Sequence, residues 1–186
     1  MAEEVFDESK YIKMSSGSVV SRGATLVGPQ NIEIQGKVIV ETDVLLRGDM
    51  APVQIDRYSK VCKGSVLRPS GILPAGGNGK LRFIPLTIGK YTLIGDDCVV
   101  ECASVGAGCY IGQGSVLCTG AILKDYVHVE PGTIVPPDLV IPPFSIVSGQ
   151  PARCKGEAPV SLPDVKEHEA LQRYKRFMRG GEGVTP

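Results

Sequence analysis

Residues 88–147 decide the fold, because they divide into the segments IGKYTL, IGDDCV, VECAS, VGAGCY, IGQGSV, LCTGAI, LKDYVH, VEPGTI, VPPDLV, IPPFSI and V. Each segment begins with Ile, Val or Leu, and the step is six residues except across VECAS. Residues two apart in an extended chain point the same way, and a Gly near each break permits a corner. Three such sides make a triangular coil of about 18 residues, and coils stack about 4.8 Å apart. The pattern predicts an all-β solenoid, a left-handed parallel β-helix.

The same phase extends upstream of residue 88, where inward-facing pairs again lie six residues apart. The pairs are Ile32 and Ile34, Val38 and Val40, Val44 and Leu46, Val53 and Ile55, Ser59 and Val61, and Ser65 and Leu67. A three-residue slip across 47–55 (RGDMAPVQI) resets the frame between the third and fourth pairs. We expect Arg47 and Asp49 to pair and brace this slip. Together the two regions predict about six triangular coils.

The six-residue period fails between Leu67 and Leu86, in a segment rich in Pro and Gly. We predict an insertion loop at 69–85 that projects from the solenoid, and loops of this length often carry function. The predicted organisation is therefore an N-terminal extension at 1–18, a β-helix at 19–152 that contains this loop, and a C-terminal linker, helix and tail at 153–186.

A C-terminal α-helix is predicted from Asp164 to Arg179, and we expect it to lie along one face of the solenoid. Asp164 followed by Glu167 resembles a capping box, and Glu169 could pair with Arg173 one turn later. Apolar and aromatic residues recur at helical spacing, and the helix should end at GGEG. The residues at helical spacing are Val165, His168, Leu171, Tyr174 and Met178.

Composition and charge narrow the functional classes. The formal net charge is 0, with 20 basic and 20 acidic residues, which gives no electrostatic footprint for nucleic acid or anionic lipid. The six Cys form no CxxC pair and are typical of free thiols in a reducing cytosol. No apolar run approaches a membrane span, and the acidic N-terminus lacks a signal-peptide stretch. These features predict a cytoplasmic protein without nucleic-acid binding or direct membrane insertion.

Histidine content argues against the enzymes that share this fold class. A zinc site of three converging imidazoles, as in γ-class carbonic anhydrases, is impossible with only two His. A hexapeptide-repeat acyltransferase needs a general base, and His128 is the candidate within the coils. Its position next to the inward Val129 predicts that it faces outward as a surface residue. We therefore expect no catalytic residue, no cofactor and no metal, with an acyltransferase or a degenerate γ-carbonic-anhydrase-like protein as the alternatives.

Several stretches together resemble one branch of the hexapeptide-repeat superfamily. They are SVVSRGATLVGPQNIEIQGKVIV, DVLLRGDMAPVQI, SVLRP, RFIPLTIG, AILKDYV and TIVPPDLVIPPFSIVSGQP, with GEAP just beyond. In this order and spacing they are similar to the dynactin subunit 5 family, the small β-helix subunits of the dynactin pointed-end complex. The resemblance covers about 19–159, although the insertion here is Gly-rich where that family is expected to carry a more basic and aromatic loop.

The resemblance implies a non-catalytic structural or adaptor subunit that supports dynein-driven transport and recruits cargo, particularly endosomal membranes. The implied partners are the other pointed-end subunits, namely a second β-helix subunit, an actin-related protein and a larger zinc-binding subunit, together with cargo adaptors. The implied location is cytoplasmic and cytoskeleton-associated. We predict partner-binding residues in the insertion and on the terminal helix: Ile72, Leu73, Leu81, Phe83, Tyr174 and Phe177. The alternative for the two helix aromatics is packing onto the chain's own coils.

Overall fold

A computed structural model describes residues 4–76 and 79–179, and within them the backbone forms the expected left-handed parallel β-helix. The strands are β1 (Tyr11–Lys13), β2 (Val19–Ser21), β3 (Thr25–Val27), β4 (Ile32–Ile34), β5 (Ile39–Val40), β6 (Leu45–Arg47), β7 (Val53–Ile55), β8 (Lys60–Val61), β9 (Val66–Leu67), β10 (Ser70–Ile72), β11 (Arg82–Ile84), β12 (Leu86–Ile88), β13 (Leu93–Ile94), β14 (Val99–Val100), β15 (Ser104–Val105), β16 (Tyr110–Ile111), β17 (Val116–Leu117), β18 (Ile122–Leu123), β19 (His128–Val129), β20 (Ile134–Val135), β21 (Val140–Ile141), β22 (Ser145–Ser148) and β23 (Arg153–Glu157). A short 3₁₀ helix (Pro29–Asn31) lies between β3 and β4, and one α-helix, α1 (Leu162–Arg179), follows the strands in this part of the chain.

Three sheets form the sides of the triangular prism. Sheet A has the order β1-β2-β5-β8-β13-β16-β19-β22-β23, sheet B runs β20-β17-β14-β9-β6-β3, and sheet C runs β21-β18-β15-β12-β7-β4. Neighbouring strands within the coils are parallel, and Tyr110 aligns with His128, 18 residues later. One full coil therefore consists of three six-residue sides, as the repeat predicted.

The interior of the prism is filled by the residues that begin each repeat. From Ile88 to Val147, all of these leads are at most 4% exposed. Small residues beside the corners satisfy the backbone: the Ser65 hydroxyl donates to the Gly95 carbonyl at 2.7 Å and accepts from the Cys98 amide at 3.1 Å. The upstream inward pairs are also buried, except that Ile32 and Ile34 are half-buried because their strand lies at the end of sheet C. The predicted assignment of inward-facing positions is therefore confirmed over the coils.

The slip near residue 50 is braced as expected. The Arg47 guanidinium donates two hydrogen bonds to the Asp49 carboxylate, at 2.7 and 2.8 Å. This forked pair spans the first turn after β6, before the chain enters β7. Bidentate pairing of this kind fixes geometry more strongly than a single ion pair does.

The segment 69–85 contains a β-hairpin where the sequence predicted a loop. Strands β10 and β11 pair antiparallel, with Ser70 opposite Ile84 and Ile72 opposite Arg82. The Ser70 hydroxyl donates to the Glu101 carbonyl and accepts from the Gly120 amide, so the base of the hairpin is held against neighbouring coils. The many Gly and Pro residues of this segment indicate a turn, but they give no sign of the short strands on either side of it.

The helix α1 lies along the outer face of sheet A, as predicted, but it begins at Leu162, two residues before the expected start. Asp164 therefore lies in the first turn and not at the cap. Glu169 forms its salt bridge with Lys166, at 3.0 Å, and acts on Arg173 only by raising its pKa, so the expected ion pair is not formed. The expected stop at GGEG lies outside the described residues. No helix in the described ranges is long and apolar enough to cross a bilayer.

Candidate functional site

The hairpin presents an apolar surface, which we call the hairpin patch and define as Ile72, Leu73, Leu81 and Phe83. Ile72 is 40% exposed, Leu73 73% and Leu81 51%, whereas Phe83 is half-buried. A Cβ atom at Gly71 would lie 3.1 Å from the Phe83 ring and 3.2 Å from Leu81, so these two side chains pack over the bare backbone of Gly71. The structure thus packs Leu81 and Phe83 together over Gly71, whereas Ile72 lies opposite Arg82 and therefore points to the other face of the hairpin.

The two helix aromatics lie apart from the hairpin patch and contact the chain itself. Phe177 is buried in a cluster with Phe6 and Tyr11, and its ring meets that of Tyr11 edge-on at 5.2 Å. Tyr174 is half-buried, and its hydroxyl donates to the Gly17 carbonyl at 2.5 Å. Their geometry is that of the alternative, packing onto the chain's own elements. A contact between either residue and a partner stays a prediction.

Added strands cover both ends of sheet A, and residues 149–152 hydrogen-bond with Ile134 at one end of sheet B. Strand β1 adds antiparallel to β2 at one end, and β23 adds antiparallel to β22 at the other. In the described part of the chain, β3 and β4 end sheets B and C at the first of these ends, where Leu26, Ile32 and Ile34 are half-buried. Terminal strands of a sheet present unpaired backbone groups to any partner that can add a strand. The composition of β3 and β4 alone did not reveal them as ends.

His128 lines none of the three prominent cavities of the described residues. Its ring stacks on Tyr110 with centroids 4.7 Å apart, on the face of sheet A that carries the helix. Burial lowers its pKa, and the nearby ammonium of Lys166 lowers it further, while Glu130 acts in the opposite direction. His128 faces outward from the coil as predicted, but it is half-buried beside the helix and not a solvated surface residue.

One group of donors resembles a metal site in spacing but not in chemistry. Oxygen and sulfur atoms of Glu41, Cys62 and Asp96 lie within 4.8 Å of one another. However, the Lys60 ammonium already pairs with Glu41 at 2.6 Å, where it would repel a cation. Burial raises the pKa of the Cys62 thiol to about 12, which opposes the thiolate that metals bind. The donor set does not fit zinc, and the chain's two His cannot supply the three imidazoles of a γ-class carbonic anhydrase.

Three cavities are prominent in the described residues. The largest, about 480 Å³, lies between α1 and sheet A, and two shallower clefts follow the polar face of sheet C. The first is lined by Glu4, Val5, Lys60, Cys62, Leu93, Glu169, Arg173, Arg176 and Phe177. The sequence did not reveal this cavity, because it forms only where the helix bridges outward residues of successive coils.

Comparison with known sequences places these features in a family. The sequence profile of dynactin subunit 5 matches residues 1–180. Dynactin subunit 5 of Dictyostelium discoideum is 38% identical over 102 residues, which make up 55% of this chain and 50% of that protein. Mitochondrial gamma carbonic anhydrase 2 of Arabidopsis thaliana is 22% identical over 149 residues, 80% of this chain and 50% of that protein. The chain thus spans about half the length of the curated relatives that it matches.

Solved structures share the fold. A hexapeptide transferase family protein from Anaplasma phagocytophilum superposes with a TM-score of 0.66 at 17% identity, covering 88% of this chain and 93% of that one. A single-site mutant of AntD, an N-acyltransferase from Bacillus cereus, superposes with a TM-score of 0.67 at 16% identity, covering 83% of this chain and 87% of that one. At these identities the likeness concerns the β-helix alone. The profile match extends over nearly all of the sequence, and the chain belongs to the dynactin subunit 5 family.

Proposed function

We propose that the chain is a non-catalytic structural and adaptor subunit of the dynactin pointed-end complex, cytoplasmic and cytoskeleton-associated. In this role it supports dynein-driven transport and recruits cargo through protein–protein contacts. Family membership supports the dynactin role, and the chemistry of His128 and of the Glu41 cluster gives no support to catalysis. Its partners would be the second β-helix subunit, the actin-related protein, the larger zinc-binding subunit and cargo adaptors.

The observation that carries the adaptor role is the hairpin patch. Its exposed leucines stand on a rigid prism, and Ser70 fixes the base of the hairpin to the coils. Lys80 and Arg82 are exposed beside the patch. An apolar surface rimmed by basic residues suits a short segment with apolar anchors and acidic flanks. We infer that a cargo adaptor supplies this segment.

A second surface suits the structural role. The uncovered ends of sheets B and C, at β3 and β4, offer backbone groups and half-buried apolar side chains to another β-helix. Backbone hydrogen bonds along the prism axis would continue the stack of coils into its neighbour. We assign this end to the second β-helix subunit, so that the hairpin stays available to adaptors.

A double substitution tests the adaptor surface. Leu73→Ser with Leu81→Ser should reduce the cargo adaptors that co-purify with the tagged chain from native lysate, while the actin-related protein and the second β-helix subunit are retained. Quantitative mass spectrometry measures both groups. Val160→Ser is the matched control, because Val160 is 91% exposed and lies away from the hairpin. Unchanged adaptor recovery in the double variant would remove the hairpin patch as the docking site. Isolation of the tagged wild type without any dynactin subunit would contradict the proposed function itself.

The acyltransferase alternative is tested separately. The neighbouring enzymes share the fold at identities that say nothing of activity, and His128 lines none of the three cavities described above. The purified protein should not transfer the acyl group of acetyl-CoA to a small amine or hydroxyl acceptor. Saturable binding, together with acyl transfer that His128→Ala abolishes, would favour the alternative over the adaptor role.

A further inference from the structure

The cavity beneath α1 is lined by the half-buried cation Arg173. Its Nη1 atom is buried and has no hydrogen-bond partner among the described residues. Burial lowers the pKa of Arg173, which reflects the cost of removing the guanidinium from water. Removing a charge from water is costly when its hydrogen bonds are not replaced, so such groups are usually paired.

The groups near Arg173 that could accept a hydrogen bond from its Nη1 atom are shared or neutral. Glu169, one turn before it, raises the pKa of Arg173 but forms its salt bridge with Lys166, at 3.0 Å. Cys62 is close enough to influence Arg173, but burial raises the pKa of its thiol to about 12, so it is uncharged at neutral pH. These neighbours therefore leave the Nη1 atom of Arg173 without a hydrogen-bond acceptor.

Two further cations line the same cavity. Lys60 reaches it from β8 on sheet A, with its ammonium 2.6 Å from Glu41, and Arg176 reaches it from the helix. Glu4 and Glu169 also line the cavity and offset part of this charge. A ligand must therefore carry more than one negative charge to compete for these basic groups.

We propose that this cavity binds a phosphate group, either free or carried on a side chain of a partner. A phosphate group carries about 1.5–2 negative charges near neutral pH, and its oxygens match the forked donors of Arg173. The cavity volume of about 480 Å³ exceeds what phosphate alone needs, and Val5, Leu93 and Phe177 provide apolar walls for an attached organic group. The site lies on a different face from the hairpin patch and does not depend on the proposed adaptor contact.

The test is calorimetric titration of the full chain with sodium phosphate and, separately, with O-phosphoserine. Sodium chloride of equal ionic strength is the blank. Arg173→Met keeps much of the side-chain volume and removes the charge, so it should fold and bind both probes at least tenfold more weakly. Lys175→Met is the matched control, because Lys175 is an exposed cation on the same helix, and its affinity should stay within twofold of wild type.

The two probes distinguish the source of the phosphate. Tighter binding of O-phosphoserine assigns the cavity to a phosphorylated side chain, and equal binding assigns it to free phosphate. Equal affinity of wild type and Arg173→Met for the probes would overturn the proposal. The absence of any binding heat beyond that of the chloride blank would also overturn it. If Arg173→Met does not fold, Arg173→Lys replaces it, and loss of the guanidinium fork should still weaken binding at least threefold.

Discussion

The Tyr174 hydroxyl donates a hydrogen bond of 2.5 Å to the backbone carbonyl of Gly17, which joins two residues 157 positions apart. The Tyr174 ring also meets Tyr58 edge-on, with centroids 6.0 Å apart. One side chain therefore fastens α1 both to the turn before β2 and to a corner of the coils. Contacts of this kind hold α1 against the coils.

Removing this hydroxyl should weaken the attachment of the helix. Tyr174→Phe keeps the ring and leaves the Gly17 carbonyl without its donor, so the free energy of unfolding should fall by about 1 kcal/mol. Urea denaturation followed by circular dichroism measures the change. Tyr110→Phe, on the same sheet face, is the control and should shift stability by less than half as much. Equal losses in both variants would contradict a specific role for the bond.

Phe177 should be needed for folding more than for binding. Phe177→Ala opens the cluster with Phe6 and Tyr11, and truncation of a buried Phe costs about 3–5 kcal/mol. A double-mutant cycle with Phe6→Ala should give a coupling energy above about 0.5 kcal/mol, because the two rings lie 6.4 Å apart. Additive losses would mean that the two residues act independently.

Most of the fold could be predicted, because the same six-residue pattern of one buried aliphatic residue per side repeats along the chain. Ile111 and Leu117 each begin a six-residue side, and both are fully buried. The helix could be predicted in kind, but its first residue could not, because Leu162 and Pro163 lack an obvious capping pattern. The strands of the hairpin were missed, since a run of three residues beside Gly and Pro carries too little periodicity.

Truncating an inward residue that begins a repeat should reduce the free energy of unfolding more than truncating an outward residue on the same kind of strand. Leu117 is fully buried, and Leu117→Ala should cost about 2–5 kcal/mol by removing core contacts and leaving a cavity. Val140 is 52% exposed, and Val140→Ala should stay within about 0.5 kcal/mol. Chemical denaturation of both variants measures the contrast. A small loss for Leu117→Ala would contradict the assignment of the leads to the interior.

Two glycines at corners of the coils distinguish backbone strain from steric clash as the cost of adding a side chain. Gly114 and Gly120 both have positive φ angles, of 68° and 76°. A Cβ at Gly114 would meet nothing within 4 Å, so Gly114→Ala should cost only the conformational strain of about 1 kcal/mol. A Cβ at Gly120 would lie 2.1 Å from the Asp138 carboxylate, so Gly120→Ala should cost distinctly more. Thermal unfolding of the two variants compares them, and equal losses would mean that Asp138 moves freely aside.

The candidate surfaces were predictable to different degrees. Leu73 and Leu81 stood out as apolar residues in a segment that breaks the repeat, and the structure exposes both. The cavity that contains Arg173 could not be foreseen, because Lys60 and Arg173 are distant in sequence and meet only when the helix docks. Long-range contacts of this kind leave no local periodicity.

His128 should make stability depend on pH in a definite direction. Burial and Lys166 lower its pKa in the folded chain, so protons bind more tightly to the unfolded chain, where the ordinary value is about 6.5. Stability should therefore be undiminished above about pH 7 and should fall as pH decreases below about 6.5. Glu130 offsets part of the shift. His128→Gln should flatten the dependence of the melting temperature on pH between about pH 5.5 and 7.5. A wild-type slope in His128→Gln would show that another group is responsible.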